Sequence, residues 1–174
     1  MTLDDLLADL QTAAAEPTPL LAVRDVLQRA VSSPAWLQDA LPAGPRAELV
    51  PLLVSPTVSV FKAIWAAGMS VPPHDHRMWG AIGVYAGRED NQFFRRHEDG
   101  LEVVNGRTLS VGDVSLMGDD VIHAVAAPQW TGAIHVYGGD FLAKQRSMWV
   151  DGVEEPSDGK RTQAIFEAAN RAAE

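Results

Sequence analysis

The sequence predicts an all-β core, a sandwich or closed barrel, with helices before it and one helix after it. Three observations carry this. Between residues 46 and 150, short apolar or alternating runs recur roughly every eight to twelve residues between Gly, Pro, Asn and Asp signals, the pattern of many short antiparallel strands. The first forty residues instead place apolar side chains at helical spacing, and so does the tail. The 174 residues are 47 % hydrophobic and 21 % charged, enough for one sizeable core and too apolar for compositional disorder.

Taken in order, Thr2 and Asp5 make a capping-box-like start, and Leu3, Leu6, Leu7 and Leu10 form one helical stripe. Glu16-Pro17-Thr18 interrupts it. Pro19 then suits the first position of a second helix, whose inner face is Leu20, Val23, Val26, Leu27 and Ala30. Ser33-Pro34 opens a short third helix with Trp36, Leu37 and Leu41, and Pro42–Pro45 ends the helical region. Strands are expected at Val58–Trp65, Gly80–Tyr85, Asn91–His97, Glu102–Val104, Ser110–Leu116, His123–Ala126 and Ala133–Tyr137. The Asn105-Gly106 pair predicts a two-residue hairpin turn. Asp151–Lys160 reads as polar and turn-rich, and Arg161–Ala173 as a helix burying Ile165, Phe166 and Ala169. The expected organisation is a helical cap over 1–45, a barrel over 46–150 and a turn plus helix over 151–174, all one structural domain.

Composition removes several functions. Lys and Arg total 14 against 23 Asp and Glu, a formal charge of −9, which disfavours nucleic acid and anionic membrane surfaces as partners. There is no cysteine, so disulfides, thiolate zinc sites, iron–sulfur clusters and cysteine nucleophiles are excluded. No apolar run reaches the ~20 residues of a membrane span. The acidic start MTLDDLLADL is unlike a signal peptide, so a cytoplasmic protein is expected.

Five histidines carry the chemical signal: His74, His76, His97, His123 and His135. On a strand, residues i and i+2 share a face, so His74 and His76 can reach one point inside a barrel. Neutral imidazole is the commonest ligand of borderline divalent cations. His-x-His by itself is also what two surface histidines beside a proline turn would give. His97, between Arg96 and Glu98, reads as exposed.

The surrounding spacing is more specific. Gly68, five residues, His74, one residue, His76, three residues, Gly80, six residues and Gly87 together resemble the first motif of the cupin superfamily. Gly112 followed after ten residues by His123 resembles its second motif, with Gly118, Asp120 and Ala127 where that motif has Pro, Gly and Asn. The resemblance implies a cupin-type double-stranded β-helix, or jelly-roll, with His74, His76 and His123 as metal ligands. In cupins the position of Gly80 is usually a glutamate, a fourth ligand. Without it three neutral imidazoles leave a divalent cation at its full charge. Such a centre should bind anionic bidentate substrates and keep a coordination position for dioxygen, which favours Fe(II), with Zn, Ni or Mn as other divalent occupants.

His135 and Tyr137 alternate onto one face of the next strand, a pair that a core hydrogen bond would explain equally. With the three earlier histidines, however, they resemble the cysteine dioxygenase type I family of thiol dioxygenases, whose members carry His-x-His, a distant His, and a Ser-x-His-x-Tyr relay. The resemblance covers about residues 46–141. It implies an iron-dependent dioxygenase that converts a small thiol to a sulfinic acid with O2, with Tyr137 beside the metal and His135 orienting it. Three positions depart from the family. Ala133 replaces the relay serine, so His135 must find another acceptor. Ala81, or its neighbour, stands near the cysteine that some members crosslink to the tyrosine. Gly138-Gly139-Asp140 replaces the usual Pro-Pro.

Thiol dioxygenases hold a substrate carboxylate with an arginine. Arg77 and Arg46 are the two candidates, each balanced by an ordinary salt bridge as the explanation. Trp79, with Met78, is expected near the pocket mouth or in the core. One of Arg95 and Arg96 should point inward unless paired with Glu89 or Asp90. Adjacent strand residues face opposite ways, so Glu89-Asp90 is no acid–base dyad, and Asp75 faces away from its histidine neighbours. The expected partners are a small-molecule substrate and O2, with the chain a monomer or homodimer. A three-histidine dioxygenase of a non-thiol substrate and a non-catalytic metal- or ligand-binding cupin are the alternatives.

Overall fold

The computed structural model describes residues 1–42 and 44–172. Ala43, within the predicted break, and Ala173, at the end of the predicted tail helix, lie outside the described residues. Three helices open the chain: α1 (Leu3–Ala13), α2 (Pro19–Val31) and α3 (Ala35–Ala40). The Thr2–Asp5 capping box forms in both directions, and Pro19 takes the first turn of α2, where its missing N–H costs nothing.

Eleven strands follow: β1 (Glu48–Val54), β2 (Ser59–Trp65), β3 (Met69–Asp75), β4 (Gly80–Ala86), β5 (Arg88–His97), β6 (Gly100–Ser110), β7 (Val114–Met117), β8 (Ile122–Ala127), β9 (Thr131–Tyr137), β10 (Arg146–Val150) and β11 (Val153–Ser157). They build two antiparallel sheets, ordered β1-β2-β9-β4-β7 and β11-β10-β3-β8-β5-β6. Helix α4 (Gly159–Ala172) closes the chain. The architecture is the jelly-roll that the cupin resemblance implied, built from the short antiparallel strands that the spacing predicted.

Alternation decides what each strand gives to which side. On β2 and β9, Val60, Ile64, Ile134 and Val136 face outward into one core with α1, α2 and α3. The opposite set, including Phe61, Ala63, Ala133, His135 and Tyr137, faces the space between the sheets. The centre of the first sheet is therefore buried on both faces: β2 and β9 carry no exposed residue, whereas the edge strand β1 is half-buried. Helix α4 packs Phe166, with Ile165 and Ala169, against Trp65, Val71, Val125 and Met148, as the sequence predicted.

Four local expectations are corrected. Asn105-Gly106 is not a turn: both lie inside β6, opposite Phe93 and Gln92. The hairpin closes instead at Glu98-Asp99, between His97 and Gly100, and the register shift at Phe93/Phe94 absorbs Val104 as a bulge. The run Ser110–Leu116 is broken by a turn at 111–113, so Ser110 ends β6 and Val114 begins β7. The stretch 151–160 contains β11, joined to β10 by Asp151-Gly152, both at positive φ (51° and 81°) as a type I′ turn requires. Strands β1, β3 and β10 were also outside the predicted set, although His74 and His76 were read as strand neighbours.

Candidate metal centre

His74 on β3 sits opposite His123 on β8 in the ladder, so both imidazoles enter the same interior. Pro72 and Pro73 lie where that ladder shifts register, since neither has an N–H to give it. His76 follows just beyond β3, and the three ring centroids lie 4.6–5.0 Å apart. One ligand atom from each falls within 4.8 Å of the others, and no second group of this kind occurs among the described residues.

Hydrogen bonds fix which nitrogen each ring offers. His74 Nδ1 is 2.9 Å from the Pro72 carbonyl, and His123 Nδ1 is 2.7 Å from Asn91 Oδ1. Both must donate there, which leaves Nε2 with a free lone pair. Nε2 of His123 faces Nε2 of His76 at 3.4 Å. Burial keeps all three rings neutral. It holds His74 down to about 4, and His76 and His123 well below the ordinary imidazole value, with neighbouring positive charge adding to the effect. Three neutral nitrogen donors, with His76 and His123 buried and His74 half-buried, converge their lone pairs and suit a borderline divalent cation.

Gly80 stands opposite Tyr137 on the neighbouring strand. A Cβ at Gly80 would lie 3.3 Å from the Tyr137 ring and 3.3 Å from Met117 Cε. The space that a longer side chain would cross is thus held by the phenol, which packs 4.8 Å from the His76 ring and stacks on Phe141.

The acceptor that His135 needs is Glu89. Tyr137 Oη lies 3.0 Å from His135 Nδ1, and His135 Nε2 lies 3.3 Å from Glu89 Oε2. The other oxygen of Glu89 accepts from Asn91 Nδ2 at 2.9 Å, and Asn91 Oδ1 is the partner of His123. One unbroken chain of hydrogen bonds thus joins Tyr137 to a candidate metal ligand. Glu89 is 0 % exposed, and burial raises the Tyr137 phenol above its ordinary pKa. Glu89 and Asn91 reach inward because they sit two apart on β5, with Phe93 next on the same face against the His123 ring. Asp90 points out to Arg88 and Thr108, so no Glu89-Asp90 dyad exists, as expected.

A small cavity of about 30 Å³ opens beside His74, His123, His135 and Tyr137. The rest of its wall is Leu49, Trp65, Val71, Val125, Phe141, Thr162 and Phe166, so α4 closes it on one side. The Trp65 indole N–H is buried without a hydrogen-bond partner among the described residues.

The arginine candidates lie away from this cavity. Arg77 is outside it, its side chain 49 % exposed, and pairs with Asp75 and Ser147 Oγ, the salt bridge that the sequence also allowed. Arg46 is exposed just ahead of β1 and does not line the cavity. Trp79 packs towards the helices, its ring filling the place of a side chain at Gly138, where a Cβ would fall 2.1 Å from Nε1. That contact accounts for glycine at 138. Arg95 and Arg96 both stay outside, paired with Glu102 and Glu154. Asp75 turns away from the histidines, as expected, and accepts from the Ser147 N–H, which ties β10 to β3. His97 is exposed.

Two groups escaped the sequence reading. Glu89 looked like one more strand carboxylate, although its i, i+2 relation to Asn91 was visible. Arg146, which no sequence signal singles out, is buried, with its guanidinium 3.8 Å over the Phe141 ring. It donates to the Phe141 carbonyl and to Thr162 Oγ1, and its charge further disfavours protonated His74 and His76.

No family model matches the chain. Among solved structures, a cupin superfamily protein from Desulfitobacterium hafniense is similar at a TM-score of 0.50 and 18 % identity, over 60 % of this chain and 88 % of that one. A protein of unknown function with a cupin-like fold from Ralstonia eutropha scores 0.49 at 17 % identity, over 74 % and 75 % of the two chains. An RmlC-like cupin with a double-stranded β-helix from Methanocaldococcus jannaschii scores 0.49 at 10 % identity, over 57 % and 85 %. The chain has a cupin-like fold. Its barrel holds a three-histidine cluster suited to a divalent metal. These likenesses are to the fold, and none singles out the thiol dioxygenases.

Proposed function

We propose that the protein is a mononuclear iron-dependent oxygenase of the thiol dioxygenase kind, taking a small thiol and O2 to a sulfinic acid. The observation that carries this reading is the buried Tyr137–His135–Glu89 chain, set against three imidazoles with Gly80 where a carboxylate ligand would stand. Fe(II) on His74, His76 and His123 would supply thiolate and O2 activation. The residues around it position and protect. Tyr137 packs its ring beside His76, His135 and Glu89 hold its hydroxyl in place, and the Trp65 N–H is a donor for an acceptor on the bound molecule. Phe141, Phe166 and Val125 exclude water.

The lining favours a second reading on one point. No arginine or lysine lines the cavity, and its wall is mostly apolar. That suits a substrate without a carboxylate, and with it a three-histidine dioxygenase of a neutral non-thiol compound. Oxygen uptake by the Fe(II)-loaded protein separates the two. The test offers thiols with a carboxylate, with an amine and with neither, beside a diketone and a phenol. Sulfinate detected by mass spectrometry with any thiol supports the first reading. Uptake confined to the diketone or phenol replaces it, and tight metal binding with no uptake leaves a binding protein.

A further inference from the structure

With Glu89 as a carboxylate, the chain from His123 to Tyr137 has one consistent direction, and Glu89 is the residue that imposes it. If His123 gives Nε2 to a metal, its Nδ1 carries the proton and donates to Asn91 Oδ1. Asn91 can then offer only its N–H to Glu89, and it does so at 2.9 Å. A carboxylate has acceptors and no donor, so its second oxygen requires the proton of His135 to be on Nε2. His135 Nδ1 is left with a lone pair, and Tyr137 must donate to it. We propose that Glu89 acts as a positioning residue that turns the Tyr137 hydroxyl proton away from the metal site, so that Tyr137 meets a ligand arriving there as a proton acceptor.

This deepens the function proposed above and rests on its metal assignment. It also gives a direction to the role that the resemblance implies, a tyrosine beside the metal with His135 orienting it. In a transfer along this chain, the S–H or O–H proton of the arriving molecule moves to Tyr137 Oη as the tyrosine proton moves to His135 Nδ1. The S–H or O–H electron pair stays on the arriving molecule. His135 becomes an imidazolium whose charge is matched by the Glu89 carboxylate, and no electron changes hands. A serine at the relay position could orient His135 but could not match that charge.

Glutamine at 89 makes the test sharp, because it cannot accept on both sides. The least disruptive arrangement keeps Gln Oε1 on Asn91 and points the Gln N–H at His135 Nε2. The His135 proton then moves to Nδ1, and Tyr137 turns round to donate towards the metal. Proton–nitrogen correlation NMR on 15N-histidine-labelled, Zn(II)-loaded protein reads these tautomers directly. Wild type should show His135 protonated on Nε2 and bare on Nδ1, and Glu89→Gln the reverse, with zinc stoichiometry unchanged. A wild-type His135 protonated on Nδ1, alone or together with Nε2, overturns the proposal even if the variant does not fold. So does an unchanged tautomer in a folded Glu89→Gln. Because no thiol or oxygen is present, failure of the thiol reading leaves this result standing, whereas failure to bind zinc at all would remove the metal assignment itself.

Discussion

Between the position of a Cβ at Gly80 and the edge of the Tyr137 ring there is 3.3 Å, so a larger side chain at 80 and the phenol cannot keep their places together. A carboxylate side chain at 80 and the Tyr137 ring would therefore compete for the same space beside the histidines. Tyr137→Phe tests what the oxygen does, because the ring retains its packing on Phe141 and His76. Metal content and unfolding midpoint should stay near wild type, while turnover of whichever substrate is found falls roughly 10- to 1000-fold, as when one positioned donor or acceptor is removed. A lower midpoint with unchanged activity per bound metal would reduce the pair to a core hydrogen bond. At this scale the sequence was readable where a motif carries information: His74 and His76 share a face by their i, i+2 spacing, and His123 meets them as the cupin resemblance implied. It was unreadable for Glu89 and Arg146. Their burial depends on which strand lies beside them, and nothing in a Glu or an Arg states that it will be dry.

Strand β5 shows why elements were easier to find than their ends. Asn105-Gly106 and Asp99-Gly100 are both hairpin signals, and only one can close the β5–β6 pair. The inward set Glu89, Asn91 and Phe93 fixes the phase of β5, and the turn at Glu98-Asp99 then lets β6 run the full length of its partner. Asp151-Gly152 carries the same signal at the head of the stretch read as polar and turn-rich, and the strands that it joins are short. The helices, by contrast, were legible almost to the residue, since caps and stripes are local. Helix α2 also has the simplest energetic test. Leu27 is fully buried in the core between α2 and the outer face of the first sheet, close to Gly83. Leu27→Ala should cost ~2–5 kcal/mol in urea unfolding, as large-to-small core changes do. It should leave zinc stoichiometry unchanged, because it sits on the far side of the sheet from the histidines.

Over the whole molecule, the work of the site is divided between the two sheets. His74 and His123 lie in the second sheet with His76 just beyond its β3, whereas His135 and Tyr137 lie in the first. The hydrogen bond from His135 to Glu89 crosses from one sheet to the other. A metal that binds only the folded barrel stabilises it by mass action, ~2.7 kcal/mol at one hundred times Kd. For a chain of this size that is a rise of roughly 5–10 °C in calorimetric Tm on adding Zn(II), reversed by a chelator. His123→Ala should abolish the rise. A rise that persists would place the metal elsewhere.

Strand β9 lies between β2 and β4, and all seven of its residues are buried. Backbone amides in such a strand exchange with solvent only when most of the domain opens, whereas the rims of a sheet fray at little cost. Ala133 to Tyr137 therefore belong to the slowest-exchanging part of the molecule. The histidine and tyrosine that face the cavity have no cheap local excursion available to them. Their alignment should survive heating until the barrel as a whole gives way, so the His135–Tyr137 contact is expected to be lost only with the global transition.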